Sequence, residues 1–497
     1  MNDSLGNLAK IDHFVVLMLE NHSFDNMLGW LYSPGNPPPY NKSPAGQPEF
    51  DGLGEGDYSN PVRKGSSKRR SVYRLETAFD PRDKRKSFPD PDPGEGYLHT
   101  NVQLFQSETP PADGVASNQG FISDYAAAIA ADNRCFLSRL MRRLRADPTS
   151  IMGCYDPTVP SVLTTLAREF AVCDQWFCSA PTQTWPNRRF FHSATSWGDV
   201  ENTPTDLIPH KHWPTLFDQL TGKGKSWENY HHGVPLTGLL FPHLLLEHPL
   251  RFPGIDDFVS HATKGKLPDY SFIEPSYVLD PSDQLPPHPL WKGEELIARV
   301  YDAIFGGPAW DKTLLIVTYD EHGGCYDHVP PPPTATPPDH HSGKYHFGFN
   351  RFGVRVPTVL CSAYTQKGTI FRVGGDVPID HTSVMKMVRK RFGITEDLTH
   401  RDAKAPYIDS VLNLGEKREK ASLPKNLKPS YSGDSNLDDE PLSSFQRDIL
   451  RLAAAFPWAE AEKGVRDVSY VKTRRDLHDF VASILKEAST RGAGSSG

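Results

Sequence analysis

Ser179, Thr182 and Thr184 set three hydroxyls close together in the run Ser179-Ala-Pro-Thr-Gln-Thr-Trp-Pro-Asn-Arg188. Thr184 stands four residues before Arg188, with Pro186 between them. Proline is favoured in the first turn of a helix, so the spacing predicts a helix opened by Pro186, with Thr184 at or just before its N-terminus. Free N–H groups and the helix dipole draw an anion to such an end. A hydroxyl, a guanidinium and a helix N-terminus together seat a phosphoryl or sulfuryl group, with Thr184 as nucleophile. The simpler alternative is a threonine cap on a proline-started helix.

Two further groups of residues suit the same chemistry. The apolar run Ile11-Asp-His-Phe-Val-Val-Leu-Met-Leu19 reads as a buried strand and leads into Glu20-Asn21. Lys312-Thr-Leu-Leu-Ile-Val-Thr-Tyr319 repeats the pattern and leads into Asp320-Glu321. Polar groups just past the carboxyl end of a buried strand are where α/β folds place ligands. If the two strands are neighbours, the four side chains converge. Oxygen donors of this kind suit one hard divalent cation, Ca²⁺ first, with Mg²⁺ or Mn²⁺ as alternatives. Such a cation lowers the pKa of a bound hydroxyl and offsets phosphoryl charge. Arg188 is placed to neutralise a non-bridging oxygen, and a histidine to protonate the leaving oxygen. His231-His232, at the end of the strand-like Ser226–Tyr230, are candidates for that role. Ordinary loop histidines are the alternative.

The elements that must carry these groups alternate between strand and helix. Strands are expected at Ala171–Phe177, Asp269–Pro275 and Val354–Leu360, and helices at Phe121–Arg145, Pro160–Phe170, Trp213–Leu220, Gly293–Phe305 and Val384–Phe392. That alternation predicts an α/β fold, a mainly parallel central sheet with helices on both faces. The domain so built spans 11–410 and is interrupted by an irregular insertion at 33–96. The insertion holds Pro37-Pro38-Pro39 and two basic clusters, Arg63 to Arg70 and Arg82 to Lys86. Attraction to anionic lipid headgroups is one reading of these clusters, and a solvated loop is the other. Residues 411–440 read as a linker, and 441–491 as a smaller helical C-terminal segment.

The chain has 497 residues and a formal charge of −7, which argues against nucleic-acid binding. Its 45 prolines and 38 glycines predict many loops, while 26 Phe, 18 Tyr and 9 Trp supply a core. Six cysteines without a C-x-x-C pair are expected as buried free thiols. Met1–Lys10 is polar and lacks the apolar stretch of a signal peptide, so a cytoplasmic location is expected.

Four stretches carry a family resemblance: Glu20-Asn-His-Ser-Phe-Asp-Asn-Met-Leu-Gly-Trp30, Pro186-Asn-Arg-Arg-Phe-Phe-His-Ser-Ala-Thr-Ser196, Thr318-Tyr-Asp-Glu-His-Gly-Gly-Cys-Tyr-Asp-His-Val-Pro330 and Gly353-Val-Arg-Val-Pro-Thr358. In order, over residues 11–395, they resemble the phosphoesterase family of bacterial and plant non-specific phospholipases C and phospholipase-C-like bacterial acid phosphatases. That family is similar in fold to alkaline phosphatases and sulfatases.

The resemblance implies Glu20, Asn21, Asp320 and Glu321 as metal ligands, with Thr184 as nucleophile and fifth ligand. It places His288 and His322 around the phosphoryl group. His231-His232 resemble a histidine pair of the acid phosphatases. Asp92-Pro-Gly-Glu95 departs from the plant pattern Asp-Pro-Gly-His, and His99, four residues on, is the candidate to fill that role. Trp185 and Asn187, either side of Pro186, are assigned with His99 to substrate binding. Trp185 either lines a leaving-group pocket or packs under the helix. The implied activity is phospholipase C cleavage of glycerophospholipids through a phosphothreonine, with peripheral membrane contact. A broad acid phosphatase acting on monoesters is the alternative. Secretion or membrane association is the alternative to the cytoplasm.

Overall fold

A computed structural model describes residues 5–32, 40–54, 56–80, 83–131, 146–202, 213–433, 437–438, 440–456 and 466–494. The central sheet has eight strands: β1 (His13–Leu19), β2 (Asn41–Ser43), β3 (Ala171–Cys173), β4 (Trp227–Tyr230), β5 (Tyr270–Ile273), β6 (Thr313–Tyr319), β7 (Thr358–Ser362) and β8 (Thr369–Phe371). Their order across the sheet is β2-β8-β3-β7-β6-β1-β5-β4. All pairings are parallel except those of β7, which runs antiparallel to β6 and β3. The mainly parallel α/β sheet expected from the alternation is therefore present, with one reversed strand inside it.

The continuous apolar runs of β1 and β6 follow from their place at the sheet's centre. Phe14 to Leu19 and Thr313 to Tyr319 are all buried, as parallel strands covered on both faces require. On one face Phe14 meets Phe392 and Phe272 meets Phe191, at ring-centroid distances of 5.8 and 5.5 Å. These contacts dock α6 (Thr382–Phe392) and α4 (Thr184–Ser193). On the other face α5 (Leu290–Gly306) lies beside α3 (Ser161–Glu169), with Tyr301 of α5 near Cys361 of β7. Glu294 of α5 accepts from the Val162 and Leu163 N–H groups at 2.5 and 3.3 Å, capping α3.

Several expectations change in detail. The strand expected at Val354–Leu360 lies at Thr358–Ser362, because Arg355 and its neighbours are held in a buried ion-pair network described below. Ala171–Phe177 breaks into β3 and a short strand Trp176–Phe177. The helix from Phe121 is described to Ala131, and the remainder of that expectation, to Arg145, lies outside the described residues. So do Cys135, Pro37-Pro38-Pro39 and Arg82. The other five cysteines are buried and free.

The described residues of 411–440, a stretch read as a linker, include Val411, Leu412, Leu423 and Leu437, all buried against the body. Helices α7 (Ser444–Ala454) and α8 (Arg474–Gly494) put Phe445, Ile449, Leu477 and Ile484 into the same apolar core as the sheet. Among the described residues no helix is long and apolar enough to cross a membrane.

Candidate active site

The register of β1 on β6 decides where the acidic pairs meet. Leu19 lies opposite Tyr319, so Glu20-Asn21 and Asp320-Glu321 leave the sheet side by side. The Asn21 N–H donates to Asp320 Oδ1 at 3.1 Å, and the Glu321 N–H donates to the same oxygen at 2.8 Å. Asn21 holds φ at +59°, a left-handed conformation that asparagine tolerates. Gly323 makes the return turn. A Cβ there would lie 2.2 Å from the Asn21 carbonyl oxygen, so only glycine fits.

α4 brings the hydroxyl to this corner. Thr184 is its first residue, Gln183 its cap, and Pro186 its third residue. The helix therefore starts two residues earlier than Pro186 would set it, within the expected position for Thr184. Every residue of α4 is buried although most of its length is polar. Thr184 Oγ1 donates to Glu20 Oε2 at 3.3 Å. The helix end is trimmed by tertiary contacts. Asn202 Oδ1 accepts from the Trp185 N–H at 2.9 Å, and Pro186 has no N–H, which leaves the N–H of Thr184 itself beside the hydroxyl.

Arg188 comes one turn after Thr184 and donates through Nη2 to Glu20 Oε1 and to the Met18 carbonyl. Its Nη1 stands 3.9 Å from Glu274 Oε1, and its plane lies over the Tyr277 ring. Nη1 and Nε have no hydrogen-bond partner among the described residues. Burial disfavours the charged guanidinium, but Glu20 above all holds it charged.

The electrostatics of the cluster are those of crowded, buried acids. Burial pushes the Glu20 carboxyl well up; Arg188 opposes this, and Asp320 and Asp283 add to it. Burial also pushes Glu321 well up, reinforced by Glu95 and Asp320. Asn21 Oδ1, Asp320 Oδ2 and Glu321 Oε1 are buried without hydrogen-bond partners among the described residues. Orphaned oxygens of this kind, converging with a hydroxyl, fit a hard cation.

A different trio, Asp25, Asp327 and His328, has ligand atoms within 4.8 Å of one another. Arg355 already serves it, with Nη2 3.0 Å from Asp25 Oδ1 and Nε 3.0 Å from Asp327 Oδ1. Asp25 Oδ2 takes His328 Nδ1 at 2.6 Å. This network braces α1 (Phe24–Leu28) behind the Glu20-Asn21 turn and accounts for the Asp327-His328 and Gly353-Val-Arg355 motifs.

The histidines divide. His288 is buried, and its Nδ1 lies 2.7 Å from Asp283 Oδ1. Asp283 is adjacent to the cluster, for its carbonyl accepts from the Glu20 N–H at 2.9 Å. His322 has Nε2 2.7 Å from Gln103 Oε1 and Nδ1 3.2 Å from Glu321 Oε2. Burial depresses it to about 3, so it is neutral. His99, on α2 (Tyr97–Phe105), is half-exposed and pairs with Asp124 at 2.8 Å. Its hydrogen bond to Asp124 outweighs burial and raises its pKa.

Among the described residues His231 and His232 make no hydrogen bond or ion pair with the cluster. His231 Nε2 faces the Phe252 carbonyl at 3.2 Å, and the charged neighbours of His232 are Arg299, Asp280, Asp256 and Lys292. Asn187 spends its amide on the loop before α4, donating to the Ala180, Thr182 and Gln183 carbonyls and accepting from the Ala180 N–H. Trp185 is fully buried in the main core, which matches the alternative of packing under the helix.

Several residues at the site were not picked out beforehand. Glu95 donates no proton-bearing nitrogen as a histidine would; instead it accepts from Asn21 Nδ2 and, at 3.3 Å, from Gln183 Nε2. Burial, then Asp320 and Asp448, push it up to about 7. Its place in Asp92-Pro-Gly-Glu95 was the signal. Asp283, five residues before His288, was legible as an acid near a histidine. His381, whose Nε2 lies 2.6 Å from the Asp320 carbonyl, and Asn202 carried no signal. Asp448 of α7 interacts with Asn202 and so reaches the N-terminus of α4 from the C-terminal segment.

Known proteins give this geometry its setting. The model of the Phosphoesterase family matches residues 11–395. Non-specific phospholipase C1 of Arabidopsis thaliana is 33% identical over 462 residues, covering 90% of this chain and 79% of that protein. Phospholipase C B of Mycobacterium tuberculosis is 28% identical over 488 residues, covering 89% and 83%. Among solved structures, a protein in the alkaline phosphatase superfamily from Vibrio parahaemolyticus aligns at a TM-score of 0.32 and 14% identity, over 52% of this chain and 66% of that one. The chain belongs to the Phosphoesterase family.

Proposed function

We propose that this chain hydrolyses the phosphodiester of glycerophospholipids as a phospholipase C does, releasing diacylglycerol and a phosphorylated headgroup. The observation that carries the reading is Thr184 at the first position of α4, its Oγ1 3.3 Å from Glu20 at the corner where both acidic pairs meet. The names of the plant and mycobacterial relatives support the lipid substrate. The acid phosphatase alternative leaned on His231-His232, and the surroundings of that pair lend it no support.

In the reading we favour, Thr184 Oγ attacks phosphorus, the bond to the diacylglycerol oxygen breaks, and a phosphothreonine forms. Splitting one displacement into two is what covalent catalysis offers. The idle Nη1 and Nε of Arg188 donate to the non-bridging oxygens. Asp283 accepts the proton of His288 Nδ1, which leaves Nε2 as the nitrogen able to give a proton to the leaving oxygen and take one from the incoming water. Water then attacks the phosphothreonine and regenerates the Thr184 hydroxyl. A divalent cation held by Glu20, Asn21, Asp320, Glu321 and Thr184, Ca²⁺ in preference to Mg²⁺ or Mn²⁺, would acidify the hydroxyl and offset phosphoryl charge. Glu95, His322 and His99 border this site, and contact with a lipid surface falls to the 33–96 insertion and the C-terminal helices.

Turnover of phosphatidylcholine and of p-nitrophenyl phosphate by wild type and Thr184→Ala tests the proposal. The expected result is preference for the diester lipid and loss of about 10⁴-fold or more in kcat in the variant, with an unchanged melting temperature. Preference for the monoester, or substantial activity in Thr184→Ala, would overturn it.

A further inference from the structure

Arg474 is a buried cation to which the reaction above gives no part. It opens α8 and is only 5% exposed. Its Nε and Nη1 have no hydrogen-bond partner among the described residues. Burying a guanidinium with idle N–H groups costs free energy unless an acceptor meets them.

Most of the carboxylate oxygens around it are engaged elsewhere. Its charged neighbours are Asp283, Glu440 and Asp438. Asp283 Oδ1 holds His288 Nδ1 at 2.7 Å, while its Oδ2 is buried with no hydrogen-bond partner among the described residues. Glu440 holds Arg85 at 3.2 Å and Lys86 at 3.4 Å, and Asp438 lies 3.7 Å from Arg475. The neighbourhood attracts the guanidinium, yet none of these oxygens lies within hydrogen-bond distance of its Nε or Nη1.

Its position ties it to the reacting centre. Thr473 bridges Pro441, and His478, one turn into α8, lies beside Gly233. The Glu20 N–H donates to the Asp283 carbonyl, so one residue separates Arg474 from the strand-end cluster. The loop carrying Lys86 is tied to the His288 turn as well: the Ser87 N–H donates to the Pro287 carbonyl at 2.9 Å, and Ser87 Oγ accepts from the Leu290 N–H at 2.8 Å.

We propose that Arg474 binds an anionic group, phosphate or carboxylate, carried by the substrate's headgroup beyond the phosphoryl being cleaved. The C-terminal segment thereby selects acidic headgroups. This rests on the phosphoester-hydrolase reading above for its lipid, but the anion site itself does not. Arginine suits the role because it stays charged when buried and its planar donors match oxyanions.

The test uses the full chain with Arg474→Gln and Arg474→Lys. One arm measures kcat/KM on mixed micelles of phosphatidylserine, whose headgroup carries a carboxylate, and of phosphatidylcholine, whose headgroup carries none. The other titrates O-phosphoserine and inorganic phosphate by calorimetry. Losing a charge-assisted hydrogen bond predicts a drop of about tenfold in the serine-to-choline ratio and in O-phosphoserine affinity for Arg474→Gln, partly restored in Arg474→Lys. A fall in inorganic phosphate affinity with an unchanged lipid ratio would also support the anion site, and would assign it to free phosphate. Equal losses on both lipids, or unchanged affinity for both anions, would overturn it. If wild type cleaves neither lipid, the lipase reading fails while the titrations still decide Arg474.

Discussion

Glu321→Gln separates a cation site from a merely crowded acidic corner. Glu321 Oε2 accepts the Gly323 N–H at 2.7 Å, while Oε1 has no partner among the described residues. Glutamine keeps an acceptor for Gly323 and removes the charge. Burial, Glu95 and Asp320 raise the wild-type carboxyl's pKa above its unfolded value. A raised pKa contributes stability below the unfolded value, near 4.5, and that stability is lost as pH rises through the folded value. In chelator at pH 8 the wild type thus carries the cost of this buried acid and the variant does not. The variant is expected to melt no lower than wild type there.

Cation reverses the order. At a hundred times Kd, binding stabilises the fold by about 2.7 kcal/mol. An unfolding entropy of about 2.1 cal/mol/K per residue, over the 443 described residues, gives roughly 0.9 kcal/mol/K. The wild type should therefore gain about 3 °C in Tm. Losing one charged ligand at a cost of about a hundredfold in affinity leaves the variant near half-saturation, with about 0.4 kcal/mol and under about 1 °C. Differential scanning calorimetry in chelator and in excess CaCl₂ reads both effects without any need for turnover. An equal rise in both proteins, or none in wild type, would refute the assignment of Glu321 as a ligand.

Two further substitutions test the scaffold. Asn202→Ala removes the side-chain acceptor of the Trp185 N–H while keeping the backbone N–H that donates to Gln183 Oε1, the loss of a cap worth about 1 kcal/mol. Thr184 sits beside that cap, so kcat should fall about tenfold with KM held, and an unchanged kcat would show that Asn202 does not position the hydroxyl. His328→Gln addresses the network behind the site. Burial lowers the pKa of His328, but Asp25 and then Asp51 outweigh it and raise it to about 9. A raised histidine adds stability below its unfolded value of 6.5 that is lost as pH rises through 9, in total about 3 kcal/mol. Denaturant unfolding should show wild-type stability falling across that window and a flatter profile for the variant; parallel profiles would contradict the ion-pair account.

Much of the site was legible because its parts are local. β1 and β6 announce themselves as unbroken apolar runs, since strands covered on both faces have no polar alternation to keep. Each run ends in a pair of oxygen donors, and a proline two residues after Thr184 marks the first turn of a helix. Residues that act from far along the chain left no such mark. Asp448 and Arg474 reach the neighbourhood of α4 or Asp283 only through packing of the C-terminal segment onto the body, which a reading of 411–440 as linker hides, and Asn202 returns to α4 from the loop that follows it. Glu95 stood out as a departure from a motif, but its partner is Asn21, and that contact depends on the left-handed turn Asn21 adopts after β1.

His231-His232 show where the strand-end rule stops. The rule fixes which edge of the sheet a residue occupies, and both histidines do follow a parallel strand, β4, on the same edge as Glu20. It says nothing of how far along that edge they lie. Neighbouring strands are about 4.8 Å apart, so Asp320, on the strand next to β1, starts about 5 Å from Glu20. β4 is the outermost strand, with β5 between it and β1, so its end starts roughly 10 Å away. A carboxylate pair closes the shorter gap. Across the longer one the histidines instead find the Phe252 carbonyl and the Asp256–Arg299 pair at the sheet's rim. Strand order, which only the tertiary fold supplies, thus separates the strand-end residues that meet at the Glu20–Asp320 corner from those that start further along the edge.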